Sequence, residues 1–175
     1  MRLLKLLKRF LVPGALVSLI YFIKYRCIIS PRAEVELSSF FLVGKKTMIS
    51  SFCKIKAAKG PLTIGRQVSI GPCCFISSSK KGVEIGDYCL IGPNVTIIGN
   101  KYKYDRLDIP IYMQEETSEG IKIGQNVWVG AGTVIIDGAT IGSNVIIAPN
   151  SVVTKSVPDN AIVQGNPAKA IFIRR

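Results

Sequence analysis

Ile85-Gly86-Asp87-Tyr88-Cys89-Leu90-Ile91-Gly92-Pro93-Asn94-Val95-Thr96-Ile97 says the same short phrase twice. Ile85 and Ile91 stand six residues apart, each followed by glycine, and Ile97 opens a third unit six residues on. Cys89 and Val95 fill the fifth place of the two units, both small and apolar. Strict alternation would mark a half-exposed strand, and a 3.6-residue period would mark a helix. A period of six with two inward places marks short strands joined by corners, three strands to one triangular turn. Stacked turns bury a continuous core that no single turn could bury alone. Each turn should rise by about 4.8 Å, one strand spacing.

The frame extends from this stretch in both directions. Its first places are Val43, Ile49, Ile55, Ile64, Ile70, Ile76, Ile85, Ile91, Ile97, Ile123, Val129, Ile135, Ile141, Ile147 and Val153. Cys53, Cys74 and Cys89 fall in fifth places, which reads them as buried small hydrophobes. The spacing jumps only after Ile55, Ile76 and Ile97, always the third unit of a turn. The extra residues therefore stack at one corner, aligning Lys59, Lys80, Lys81 and the long loop 98–122 along a single edge. A loop of that length in a compact domain is usually functional. The lysines are read either as solvated decoration or as contacts to a phosphate-bearing ligand.

Composition bounds the chemistry. The 175 residues suit one domain, and they carry 23 Lys+Arg against 11 Asp+Glu, a net +12, with no histidine. No His-ligated metal, Ser-His or Cys-His pair, or imidazole base is available. The five cysteines form no CxxC pair, so neither a metal site nor a disulfide framework is expected, and reduced thiols in a cytosolic compartment fit better.

Charge concentrates at the start, where residues 1–30 hold Arg2, Lys5, Lys8, Arg9, Lys24 and Arg26 and no acid. An apolar run from Phe10 to Ile23 is short of the roughly 20 residues a spanning helix needs. Pro13-Gly14 breaks it. The reading is a basic amphipathic helix with Leu3, Leu4, Leu7 and Leu11 on one face, then a greasier second helix. Such a segment (residues 1–26) fits the surface of an anionic membrane, packing on the domain's own end, or a signal peptide, though no A-x-A-like site follows it. The concentration of charge argues against nucleic acid.

From residue 43 to 170 the chain resembles the hexapeptide-repeat acyltransferases, whose fold is a left-handed parallel β-helix. The likeness is strongest in 85–97, 121–135, 139–163 and the Gln164-Gly165-Asn166-Pro167-Ala168-Lys169-Ala170-Ile171 segment. The loop Gly99-Asn100-Lys101-Tyr102-Lys103-Tyr104-Asp105-Arg106-Leu107-Asp108-Ile109-Pro110-Ile111-Tyr112-Met113-Gln114 is similar to that family's G-x-x-H-x-(F/Y)-D-R-x-D-I-P-I-x-x-Q. In the family the His takes the proton from the attacking hydroxyl; here Tyr102 stands in its place. A positioned base supplies typically 10²–10⁴-fold, and tyrosine, with an ordinary pKa of about 10, is a poor one at neutral pH.

The resemblance implies a sugar acetyltransferase that uses acetyl-CoA and assembles as a homotrimer with the donor in grooves between subunits. It places Trp128, Gly130, Ala148, Lys155, Asn166 and Pro167 at the cofactor, with Arg174 and Arg175 able to reach phosphates. Trp128 reads equally as packing. Without the His, catalysis falls to Asp105, three residues on, or Glu116, or the acceptor is an amine that attacks unaided; Tyr102 and Asp105 are the candidate catalytic pair. The rival readings are a silent homologue that binds CoA or scaffolds a membrane complex, and a purely structural trimer.

The expected architecture is all-β: a left-handed parallel β-helix of about five turns over 31–163, a helical segment over 1–30 and a short C-terminal tail over 164–175. The expected function is acetyl transfer to a sugar, sugar nucleotide or lipid-linked precursor of a bacterial surface polysaccharide. The expected place is the cytoplasmic side of the membrane, peripheral on its inner face.

Overall fold

The computed structural model describes residues 12–175. The expected amphipathic helix over Leu3 to Leu11 lies outside the described residues. Beyond Pro13 the chain enters a helix, α1 (Gly14–Tyr25), which ends where Arg26 turns left-handed (φ 52°) and its N–H donates to the Phe22 carbonyl. No helix among the described residues is long and apolar enough to cross a membrane.

From Ile28 onward the chain is the three-faced parallel β-helix that the six-residue period predicts, coiled around one core and consistent with the left-handed coil that the resemblance implies. Sheet 1 stacks Ile28–Ile29, Met48–Ile49, Ser69–Ile70, Leu90–Ile91, Trp128–Val129, Ile146–Ile147 and Ala161–Gly165. Sheet 2 stacks Glu34–Val35, Lys54–Lys56, Phe75–Ser77, Thr96–Ile98, Val134–Ile136 and Val152–Val153. Sheet 3 stacks Phe41–Val43, Leu62–Ile64, Val83–Ile85, Ile121–Ile123 and Thr140–Ile141. Every pairing within the coil is parallel and in register, first place on first place: Ile70 on Ile91 on Val129, Ile76 on Ile97 on Ile135. These first-place side chains are buried along the whole stack.

The coil has about six turns rather than five, because it begins before Val43. Ile29 and Val35 are six apart, buried, and in frame. The next first place, Val43, comes eight residues later, so a two-residue corner insertion hides the first turn from a strict count of six.

Fifth places hold more than small apolar groups. Thr47 Oγ1 donates to the Gly65 carbonyl (2.7 Å), and the thiols of Cys53, Cys74 and Cys89 donate to the carbonyls of Gly71, Gly92 and Gly124 (3.0, 3.1 and 3.2 Å). Each bond reaches from one turn to the second-place glycine of the next. A Cβ on Gly86 would lie 2.6 Å from the Gly124 backbone, so glycine lets successive corners stack this closely. Burial pushes the Cys89 thiol up, and no buried side-chain polar atom among the described residues lacks a partner.

The first end of the stack is covered by the helix. Val17 and Tyr21 of α1 pack onto the first turn, where the Tyr21 ring lies 5.3 Å from Phe41 and its hydroxyl donates to the Glu36 carbonyl. That burial pushes the phenol up to about 12. At the other end the segment expected as a tail turns back at Asn166-Pro167. Ala168–Ile173 then pairs antiparallel with Ala161–Gly165, extending sheet 1 by one strand.

Candidate active site

The long excursion leaves the coil where sheet 2 turns into sheet 3, in the fourth turn, and it is an arm rather than a slack loop. Lys101–Tyr102 pairs antiparallel with Glu116–Thr117, and the Lys103 N–H donates to the Glu115 carbonyl (2.9 Å). At the tip, Ile111–Met113 forms one 3₁₀ turn after Pro110. The buried Gln114 amide accepts from the Arg106 N–H (3.3 Å) and donates to the Arg106 carbonyl (2.7 Å), tying the tip closed. Arg106 and Asp108 pair through both carboxylate oxygens. The D-R-x-D-I-P-I-x-x-Q spacing is thus a folding instruction: it places one arginine against one aspartate and one amide against the arginine's backbone.

The lysine edge forms as the insertions predict, and much of its charge is spent on the arm. Lys59 pairs with Glu116 (2.6 Å), Lys103 with Glu115 (2.6 Å), and Lys101 with Glu119. Ser79 adds a bond to Glu116 (3.2 Å), while Ser118 bridges the Lys81 N–H and the Gly99 carbonyl. Asp137, buried in the next turn, accepts from the Glu119 and Gly120 N–H groups (both 2.8 Å) and clamps the arm's return strand. Asp137 and Ser118 were invisible to motif reading, because each works through backbone partners that the sequence does not announce. Beside the arm root a cleft of about 280 Å³ opens on sheet 3, lined by Thr63, Lys81, Glu84, Gly120, Lys122 and Thr140.

Of the arm's five carboxylates, four are ion-paired. The Lys103 ammonium holds Glu115 below the ordinary carboxylate range, Lys59 does the same for Glu116, and Arg106 for Asp108. Glu119 is taken by Lys101. Among the described residues Asp105 makes no ion pair or hydrogen bond; its charge is felt by Lys103, whose pKa is raised first by Glu115 and to a lesser degree by Asp105. The Tyr102 side chain is exposed by 42% and no hydrogen bond joins its hydroxyl to Asp105. Glu116, the alternative base, is too firmly held by Lys59 and Ser79 for that role.

The other candidates lie elsewhere on the prism. Trp128 projects outward from sheet 1, the face opposite the arm's corner, in register with Leu90 and Ile146. Gly130 and Ala148 follow their sheet 1 strands into the corner between sheets 1 and 2, and the turn at Asn166-Pro167 stacks on that same corner. Lys155 follows sheet 2 and shares the arm's edge, two turns on. One chain therefore holds the two halves of the expected site apart: Tyr102, Asp105 and Lys155 on one edge, and Trp128, Gly130, Ala148, Asn166 and Pro167 across the stack.

Two family models match this chain: the bacterial transferase hexapeptide (six repeats) over residues 120–155 and the hexapeptide repeat of succinyl-transferase over 61–99. Both models describe hexapeptide-repeat transferases, so the repeats over these two stretches are similar to those of that family. Its repeats are 41% identical over 64 residues to the putative lipopolysaccharide biosynthesis O-acetyl transferase WbbJ of Escherichia coli K12; the match covers 37% of this chain and 33% of WbbJ. AntD, an N-acyltransferase from Bacillus cereus solved with dTDP and coenzyme A, has the same fold at 21% identity, with a TM-score of 0.78 over 89% of this chain and 88% of AntD. A maltose O-acetyltransferase from Clostridium difficile 630 is 27% identical, with a TM-score of 0.60 over 85% of this chain and 67% of its own.

Proposed function

We propose that this protein transfers the acetyl group of acetyl-CoA to a sugar of a bacterial surface polysaccharide or its precursor, with Asp105 as the proton acceptor. The observation that carries the reading is the arm. It keeps the sequence spacing of the family loop without the family's histidine, and it ties up every carboxylate except Asp105. An unpaired carboxylate on a rigid arm can take a proton from a sugar hydroxyl as the oxygen attacks the thioester carbonyl. The new C–O bond forms, the C–S bond breaks, and the proton passes to the departing thiolate, which leaves as CoA thiol. An amine acceptor, partly neutral at pH 7, needs less help from the base. The sugar acceptor accords with the names of WbbJ and of the maltose enzyme.

The working unit is a homotrimer. The arm and the Trp128 side sit on opposite sides of one prism, so a complete site needs the arm of one copy against sheet 1 of the next. The outward row of sheet 1 suits such an interface. In register it reads Ile28, Met48, Ser69, Leu90, Trp128, Ile146, Ile162, Phe172, one polar residue in eight. A contiguous apolar strip of this length marks a contact surface.

The test is free-thiol release from acetyl-CoA with a panel of hydroxyl and amino sugars, and molar mass by light scattering. Asp105→Asn should lower release with hydroxyl acceptors by about 10²–10⁴-fold, with Tyr102→Phe nearly unchanged and Tyr102→His improved. Loss in Tyr102→Phe but not in Asp105→Asn would give the role to Tyr102. CoA binding with no release for any acceptor would favour the silent homologue.

A further inference from the structure

α1 is apolar on both sides, and only one side is covered. Val17 and Tyr21 face the first turn and are buried. Leu16, Leu19, Ile20, Phe22 and Ile23 are exposed, Ile23 by 72%. At 3.6 residues per turn these five cover an arc of about 160° opposite Val17 and Tyr21. A groove of about 270 Å³ between Leu19, Phe22 and Ile28 carries the apolar surface onto the end of sheet 1. A helix that is apolar all round normally lies within a core or a bilayer; this one lies across the end of the stack.

Charge says what covers the outer side. The chain has no acid before Glu34, while Lys24, Arg26 and Arg32 lie in or just after α1 and Arg2, Lys5, Lys8 and Arg9 precede it. Lys46 joins them, its N–H bonded to the Arg26 carbonyl (2.9 Å). A second copy or another apolar protein surface would need no such fringe of bases; a layer of anionic headgroups over acyl chains matches both features. We propose that the outer face of α1 docks the protein on an anionic lipid bilayer. The 12-residue helix, about 18 Å long, lies in the interface rather than across it. Because α1 lies over the open end of the coil, docking stands the stack end-on. The arm then leaves about 15 Å above the first turn, three strand spacings up.

The experiment is flotation of the full chain with vesicles of phosphatidylcholine alone or mixed with phosphatidylglycerol, with molar mass measured in parallel. The protein should float with the anionic vesicles, less so at high salt, and hardly with the neutral ones. Leu19→Glu with Ile23→Glu should lower binding at least tenfold, while Leu107→Glu on the arm leaves it unchanged. Lys24→Gln, at an exposed position whose ammonium lies 4.8 Å over the Tyr25 ring, should lower it about fivefold. Equal flotation with neutral vesicles, no flotation with anionic ones, or undiminished binding of the double variant would overturn the proposal. A fall in molar mass of that variant, with no vesicle binding by the parent, would give the face to a second copy.

Discussion

The corners of the first three turns and those of the last three have the same geometry and different residues. At the fourth place of most hexads the backbone is left-handed, though not at Ala58, Ser79, Asn100 or Ser156. Before residue 90 the left-handed fourth places are Lys46, Phe52, Gln67, Cys73 and Tyr88, with φ from 54° to 63°. After it they are Asn94, Asn126, Asn144, Asn150 and Asn160, with φ from 55° to 60°, together with Gly132 and Gly138. Asparagine and glycine tolerate this region; a phenylalanine or a lysine held there costs about 1 kcal/mol. The coil imposes the corner, and the inward residues hold it whether or not the corner residue suits it. The later turns hold the corner cheaply, and they are the ones that carry Gly130, Ala148 and Asn166.

The asparagines also bond to one another. Asn126 donates to Asn144 (2.9 Å), and Asn144 to Asn160 (3.0 Å), a ladder up one edge. The earlier turns have a different device on the same edge: Arg66 pairs with Asp87 (2.9 Å) and lies 5.4 Å over the Tyr88 ring. That exposed ion pair is worth little, so the earlier corners remain the strained ones.

If strain sits only at corners, the core should not distinguish the halves. Ile76 and Ile135 are both fully buried, on the same sheet and two rungs apart. Ile76→Ala and Ile135→Ala should each cost about 2–5 kcal/mol, nearly equally, in urea unfolding at one protein concentration. A gap between them as large as either cost would break the comparison by moving the difference into the core.

A smaller effect tests the ladder. Asn144→Ala removes two side-chain bonds and a left-handed preference, so it should cost about 1–3 kcal/mol. Gln67→Ala, at the equivalent corner three turns earlier, gives up neither and should fall within about 0.5 kcal/mol of the parent. Equal costs would mean that the asparagines matter no more than what they replace.

The core was legible because a period of six leaves two inward places whose identity burial dictates, and Ile or Val answers at nearly every one. The first turn was not, because two inserted residues after Val35 shift the frame. The inserted corners showed where the arm leaves, but not what holds it there. Glu116 and Asp137 act across turns on a lysine and on backbone N–H groups outside their own turn, as Lys59 and Glu116 do, 57 residues apart. The division of the candidate site between two edges was equally hidden. Spacing gives each residue's face only once the corner at which its strand ends is known; Trp128 stands on sheet 1, while Tyr102 lies on the arm that leaves between sheets 2 and 3.

The smallest expected effect sharpens the comparison most, because it has the opposite sign. Phe52 is left-handed (φ 62°) and its side chain is 63% exposed, so it contributes strain and little burial. Phe52→Asn places in an early corner the residue that the later corners use. It should raise stability by about 0.5–1 kcal/mol, read as a higher urea midpoint with an unchanged slope. The reverse exchange at the matching corner of a later turn, Asn150→Phe, should lose a similar amount. If Phe52→Asn destabilises instead, the aromatic ring is covered by something in the assembled protein, and the early corners are contacts rather than strained positions.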